Sequence, residues 1–537
     1  MGRTAAAATL LAWRSSEPAA SVVVRGGTVY DGTGAPPIRA DVTVEGDRIT
    51  RVERDLSGVE GSVIDARGLA VAPGFIDVHS HSDLELLVEP KAHSKIRQGV
   101  TTEIIGQDGG SLGPWRDGQP RDDDRPPDVT AFFRLLSDRG CAVNVSSMIG
   151  AGTVRHVVIG DSDRPASADE LDRMVALVAD AVRHGACGLS SGLEYVPGGF
   201  ADLNELVTLA GALTGSGLPY ASHIRNEDDQ LLAAVEEALA VGFGAGVPVH
   251  ISHLKAQGQR NWWKAQPVLE AIEAAKVGGL DATFDRYPYV AYSTGLGSLF
   301  PLWSRDGGTE AFLGRLADPG LVPRIEMAVR DKIAKLGSWD AVQITSTGSE
   351  DLAWTRGKRL GELAAARAVD PFVLLRRIII EDENRSGMVG FGMSEANTAR
   401  ILTHPLGMIC SDGSALATSG PLGTGSPHPR SFGTFPRVLG FYCREQRVMS
   451  LEAAVHKMSG MPASRVRLPG RGRIRPGGFA DIVVFDPDMV ADQATFERPL
   501  AYPVGIRHVM VNGTLVIRDE EHTGALPGRV VAPAVTP

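Results

Sequence analysis

Two histidines, His79 and His81, close the apolar run "LAVAPGFIDVHSHSDL" at residues 69–84, with one serine between them. In a β-strand, residues two apart point to the same face, so these imidazoles project side by side, with Asp77 and Asp83 on the same wall. Burying two imidazoles costs free energy unless each finds a partner. A divalent metal is one such partner; a pair of hydrogen-bonded or exposed histidines is the plain alternative. The pattern is short enough that the rest of the chain must decide between them.

Four other short β-branched runs end in comparable groups. "TTEIIGQDG" leads to Asp108, "YASHIRNED" carries His223, "VHISHLKAQG" carries His253 and "LGMICSDG" carries Asp412. With His79 and His81 these make a mixed imidazole and carboxylate set suited to Zn²⁺, as one or two ions. His250, three residues before His253, faces the other way in a strand and reads as structural. Bound zinc lowers the pKa of its water from 15.7 to about 7 and polarises a carbonyl, which suits hydrolysis at neutral pH. Beside that water Asp412 is placed to act as general base and then acid. Lys255 shares the wall of His253, where it can stabilise a developing oxyanion, and Arg430 in "HPR" offers a planar fork for a carboxylate. The structural alternatives are a helix cap for Asp412, a solvated surface lysine for Lys255 and a surface ion pair for Arg430.

Such groups converge only if rigid elements carry them. Across residues 74–465, runs such as "VTTEIIG", "AVNVSSMIG", "ACGLSSGL", "PYASHI" and "ATFDRYPY" alternate with helical stretches such as "SADELDRMVALVADAVRHG". This βα alternation implies an α/β chain with a parallel sheet, and about eight units close naturally into a (β/α)₈ TIM-like barrel whose C-terminal mouth holds the chemistry. Residues 296–400 read as mainly helical and are expected to cover part of that mouth. Residues 21–73 and 466–537 read as short strands, with Asn512-Gly513 as a hairpin turn, and predict a small β-sandwich domain formed from both chain ends. Residues 1–20 read as a disordered leader, and the Pro-rich stretch 113–128 as a surface loop.

Composition narrows the partners. The balance of 54 basic and 64 acidic residues gives a net charge of −10, which with no basic tract argues against nucleic acid or an anionic membrane surface. No apolar stretch approaches transmembrane length. Cys141, Cys187, Cys410 and Cys443 form no CxxC pair and read as reduced, buried thiols of a cytoplasmic protein. A small molecule is the expected partner, and homo-oligomerisation is left open.

The ordered series "GFIDVHSHSD", "GVTTEIIGQDG", "GLSSGLEYVPG", "ASHIRNED", "ISHLKAQG", "DRYPY", "SDG", "HPRSFGTFPRVLG" and "GGFADIVVFDP" resembles the amidohydrolase superfamily and, within it, the D-aminoacylases, or N-acyl-D-amino-acid deacylases. The resemblance implies zinc-dependent hydrolysis of the amide bond of an N-acyl-D-amino acid. His223 and His253 would hold the tightly bound zinc, and His79 and His81 would approach the same or a second metal position. Asp412 would take a proton from the attacking water and return it to the leaving amine. Lys255 would sit near the substrate carbonyl, while Arg430, Tyr287 and Ser293 would hold the substrate carboxylate. Where those relatives have a cysteine in a "GNCG" pattern, this chain has "GQDG", which puts Asp108 at the metal; a carboxylate can bridge two metals or bind one. Two other readings stand beside this one. A cyclic amide hydrolase of the dihydroorotase or hydantoinase kind would carry a carboxylated lysine after strand four, and "HGACGLSSGLEY" has no lysine. A non-catalytic binding protein on the same fold would have lost several ligands, which this chain keeps.

Overall fold

The computed structural model describes residues 22–56, 61–114 and 128–535. The leader expected at 1–20 and most of the 113–128 loop lie outside the described residues. Among the described residues, no helix is long and apolar enough to cross a membrane.

The middle of the chain supplies eight short parallel strands. They are β1 (Phe75–Asp77), β2 (Val100–Ile105), β3 (Asn144–Ser147), β4 (Leu189–Gly192), β5 (Tyr220–His223), β6 (Val249–Ile251), β7 (Ala282–Arg286) and β8 (Gly407–Ile409). All eight are buried almost throughout, as strands covered on both faces must be. Pairing falls into two arcs, consistent with a barrel but not one uninterrupted ring: β1, β2 and β3 form one, and β4 to β8 form the other together with Ile149–Gly150, which continues from β3. At the remaining seam Ser80 bridges Gly413 in parallel, and the Asp412 and His81 amides donate to the His79 and Gly413 carbonyls at 2.9 and 3.1 Å.

Helices pack outside these strands. Ala168–Arg183 starts with a capping box between Ser167 and Glu170 and buries Met174, Val178 and Ala181, a spacing that puts one stripe against the sheet. Residues 296–400 contain helices, but also two strands, Val342–Ser346 and Gly387–Phe391, of a three-stranded antiparallel sheet whose third strand, Ala291–Gly295, directly precedes them.

Both chain ends meet in one sheet. Strand Ile482–Phe485 pairs antiparallel with Ala70–Pro73, joining N-terminal strands to C-terminal ones in a nine-stranded sheet. This pairing makes the hydrogen-bond path continuous, so the two chain ends expected to share a β-domain form one mixed sheet around a common core. Alternation explains how the sheet is held: Ile482 and Val484 enter the domain's own core, whereas Val483 and Phe485 face the core shared with the parallel strands. Each such buried side chain contributes about 1.5–3 kcal/mol. The Asn512-Gly513 turn joins Ile506–Val511 to Thr514–Arg518, with φ of 46° and 80° at its two central residues.

Beneath the strand ends lies a charged junction with no solvent exposure. The Lys95 ammonium donates to Asp77 at 2.7 Å, Ser411 at 2.7 Å and the Gly413 carbonyl at 2.7 Å, and stands 3.4 Å from Glu103. It thereby ties β1, β2 and the segment after β8 together. Replacing Lys95 with Met strands two buried carboxylates, so Lys95→Met is expected to lower stability by about 3–5 kcal/mol. Thermal melting should show a lowered midpoint, part of which Lys95→Met/Asp77→Asn recovers; an unchanged midpoint in the single variant would discount the junction.

Candidate active site

All six candidate ligands sit at, or a few residues past, the C-terminal end of a parallel strand. His79 and His81 follow β1, Asp108 follows β2, His223 ends β5, His253 follows β6 and Asp412 follows β8. The turn at Gly106, with φ of 73°, redirects the chain after β2; a Cβ there would come within 2.2 Å of the Met148 carbonyl oxygen. Asp108, His253 and Asp412 themselves hold left-handed backbones with φ of 52°, 35° and 51°. Such conformations cost about 1–3 kcal/mol each and persist where the surroundings impose them. At His253 and Asp412 they are held by hydrogen bonds from the His253 amide to Asp285 and from the Asp412 amide to the His79 carbonyl.

The six side chains converge. Asp108 Oδ1 is 3.4 Å from His79 Nε2, and its Oδ2 is 3.5, 3.4 and 3.3 Å from His81 Nε2, His223 Nδ1 and His253 Nε2. Asp412 Oδ1 is 3.1 Å from His81 Nε2. Two potential ligand sets result, His79, His81, Asp108 and Asp412 in one and Asp108, His223 and His253 in the other, each with donor atoms within 4.8 Å of one another. Asp108 belongs to both.

The donors fit a divalent ion on their own chemistry. His223 Nδ1 and His253 Nε2 approach to 2.9 Å, and His79 Nε2 and His81 Nε2 to 3.3 Å. Lone pairs this close need a proton or a cation between them, and Asp108 Oδ1 is buried without a hydrogen-bond partner. Burial alone would depress the basicity of His81 and His223, but the Asp108 carboxylate outweighs it, with Asp412 assisting at His81 and Glu227 at His223, raising His81 to about 9 and His223 to about 10. Against burial, Arg430 and the imidazoles hold Asp412 well below the usual carboxylate range, and His79, His253 and His223 do the same for Asp108. A field that favours imidazolium also favours a metal cation.

A cavity of about 610 Å³ opens over these groups. Lys255 lines it and is buried, its ammonium bonded to Glu227 and 2.7 Å from His253 Nδ1. Arg430 is also buried; it donates to Asp412 at 2.6 Å and to the Ser293 carbonyl at 3.3 Å, so Ser293 meets it through backbone rather than hydroxyl. Tyr287 lies behind the wall, fully buried, with the Arg430 guanidinium 5.0 Å from its ring and its hydroxyl unpartnered among the described residues. His250 joins neither ligand set, and bonds Thr283 and Asp285 at 2.8 Å each. Cys410 is a buried core residue, and Arg225 braces Glu237 and two backbone carbonyls.

Three contributors were not assigned from sequence. Glu227 stands 3.2 Å from His253 Nδ1, and Asp285 stands 3.6 Å from His79 Nδ1 while bonding His250; carboxylates behind imidazoles fix which nitrogen faces a metal. His428 accepts from the Arg430 amide at 3.0 Å and donates to the Ala291 carbonyl at 2.9 Å, locking the turn that delivers Arg430. Glu227 and Asp285 occur inside "ASHIRNED" and "DRYPY", so an acid just beyond a strand-end histidine, or within the next strand, was the available signal.

The sequence profile of the amidohydrolase family matches residues 62–286 and 355–517. The D-aminoacylase of Alcaligenes xylosoxydans xylosoxydans is 36% identical over 95% of this chain and 97% of its own. The chain belongs to the amidohydrolase family, with the D-aminoacylases. It is a metal-dependent amidohydrolase. The crystal structure of an N-acyl-D-glutamate deacylase from Bordetella bronchiseptica, complexed with zinc and a phosphonate mimic of the tetrahedral intermediate, superimposes with a TM-score of 0.82 at 34% identity, covering 96% of this chain and 100% of that one. A D-aminoacylase structure described as having a binuclear metal center gives a TM-score of 0.79 at 36% identity, covering 95% and 99%.

Because Asp108 is common to both ligand sets, Asp108→Ala is expected to lose metal from both, whereas His81→Ala loses it from one. Elemental analysis after zinc loading and desalting reads the difference, and full retention by Asp108→Ala would remove the shared carboxylate from the centre.

Proposed function

We propose that this amidohydrolase hydrolyses N-acyl-D-amino acids, releasing a carboxylic acid and a D-amino acid, with zinc as its metal. The observation that carries the reading is the contact of one carboxylate, Asp108, with four imidazoles at the floor of a cavity that also holds Asp412 and Arg430. The D-aminoacylase and N-acyl-D-glutamate deacylase relatives support the substrate class, and the zinc-bound relative supports the ion. In this reading the parallel strands close as a (β/α)₈ barrel over residues 74–465. The 296–400 insertion covers its mouth, 21–73 and 466–537 form the β-domain, and the enzyme works in the cytoplasm.

One or two zinc ions would be held by His79, His81, Asp108, His223 and His253, and would supply a lowered water pKa and a polarised carbonyl. Asp412 accepts the proton of the attacking water. Arg430 at 2.6 Å keeps Asp412 ionised before the transfer, and the same low basicity makes it a ready donor to the leaving nitrogen afterwards. Lys255, on the cavity wall beside His253, stabilises the negative charge growing on the carbonyl oxygen. Arg430 and Ser293 bind the substrate carboxylate, and Tyr287 supports the Arg430 guanidinium from behind.

Two measurements test this. Zinc-loaded enzyme assayed on N-acetyl and N-formyl D- and L-amino acids, dihydroorotate and hydantoin should release product from the linear D-substrates; turnover confined to cyclic imides would overturn the substrate class. Asp412→Asn should keep its zinc and lose at least ~10²-fold in kcat, whereas near-normal turnover would take Asp412 out of the proton transfers.

A further inference from the structure

Three of the four imidazoles that face Asp108 have a carboxylate on their far side. His79 meets Asp285 at 3.6 Å, His253 meets Glu227 at 3.2 Å, and His223 meets Glu194 at 3.8 Å. His223 differs from the other two in direction. His79 and His253 turn Nε2 toward Asp108, whereas His223 turns Nδ1 toward Asp108 and His253, at 3.4 and 2.9 Å. A ligating imidazole is neutral and carries a single proton. With Nδ1 given to an ion, that proton must sit on Nε2, which is buried and without a hydrogen-bond partner among the described residues. Stranding an N–H in this way costs free energy that an acceptor recovers.

Glu194 is placed to be that acceptor. It lies two residues past Gly192, which pairs in register with His223, and the Leu193 amide donates to the His223 carbonyl at 3.0 Å. The backbones that carry the two side chains are thus tied together. Tyr195 packs its ring against that of His223, with centroids 4.7 Å apart, and limits how the imidazole can turn. Arg305 and Lys332, both within 296–400, balance Glu194: Arg305 donates to its backbone carbonyl at 3.1 Å, and both act on its carboxylate through their charge. No described residue donates a hydrogen bond to the carboxylate itself, and 21% of the side chain is exposed, so it has room to move. Its distance to Nε2 exceeds a hydrogen bond by only ~1 Å.

We propose that Glu194 is a positioning residue for the metal centre: it accepts the Nε2 proton of His223 and so fixes the tautomer that presents Nδ1 to an ion held with Asp108 and His253. This rests on the zinc reading above and not on the substrate class. The test titrates metal-free wild type, Glu194→Gln and Glu194→Leu with Zn²⁺ against a chromophoric chelator, and records the visible absorption of the Co²⁺-loaded proteins. Glu194→Leu should weaken binding of one ion by about 10–100-fold and alter the cobalt spectrum, while Glu194→Gln, which keeps an acceptor oxygen, should stay within ~5-fold of wild type. In a His223→Ala background, where the imidazole is gone, Glu194→Leu should change neither reading further. Wild-type affinity in Glu194→Leu, equal losses in the two variants, or the same loss with His223 absent would each overturn the proposal and leave the zinc reading standing. Failure of the wild type to bind Zn²⁺ would sink the zinc reading and the proposal with it.

Discussion

One buried carboxylate, within 3.5 Å of four imidazole rings, sets the terms for the rest of the molecule. The histidines come from β1, β5 and β6 and the carboxylate from the turn after β2, so no local segment could assemble the group. A full charge pair at 3.4 Å, the Asp108 to His79 separation, is worth about 5 kcal/mol at an effective dielectric near 20. The left-handed backbone at Asp108 costs about 1–3 kcal/mol. Burial of both groups opposes that attraction, so it is the joint contact of four imidazoles, or a cation shared among them, that holds Asp108 against the local preference of the chain.

The charges are laid down in shells of alternating sign. Asp285 and Glu227 stand behind the imidazoles, and Lys255 and Arg430 engage Glu227 and Asp412 in turn. Below, Lys95 holds Asp77 and lies beside Glu103. Removing any member leaves a neighbour buried without its counter-charge, which costs more than the pair itself contributes. This mutual dependence fixes side-chain positions where packing alone leaves rotamers free.

Ligands were legible because strand parity converts sequence position into direction. His79 and His81 share a face, His253 opposes His250, and every one of them ends a β-branched run; the structure brings all six candidates together. Glu227, Asp285, His428 and Lys95 were not assigned because each acts through another residue and has no spacing of its own to announce it. The same distinction governs the fold. Alternation marked Ile482–Phe485 as a strand, yet nothing local says that it pairs with Ala70–Pro73, more than 400 positions away. Across 296–400 the helical pattern is visible, whereas the two strands within it pair with each other and with Ala291–Gly295 only through tertiary contact. Ser293 was found for its position but engages Arg430 through a carbonyl, which any residue type would provide.

The family profile matches residues 62–286 and resumes at 355, passing over 287–354. Every candidate ligand lies in the matched parts, as do Asp412, Lys255 and Arg430. The unmatched stretch contributes Tyr292, Ser293, Thr294, Ser298, Lys332, Thr345 and Ser346 to the cavity. The reacting groups stand at strand ends fixed by the electrostatic demands of the centre, and residues 292–346 add further wall beside Asn384–Gly387 of the matched stretch, packed on a core that also takes in Val78, Met408 and Cys410. Wall residues that do not share the ligands' constraints can change without disturbing the centre beneath them.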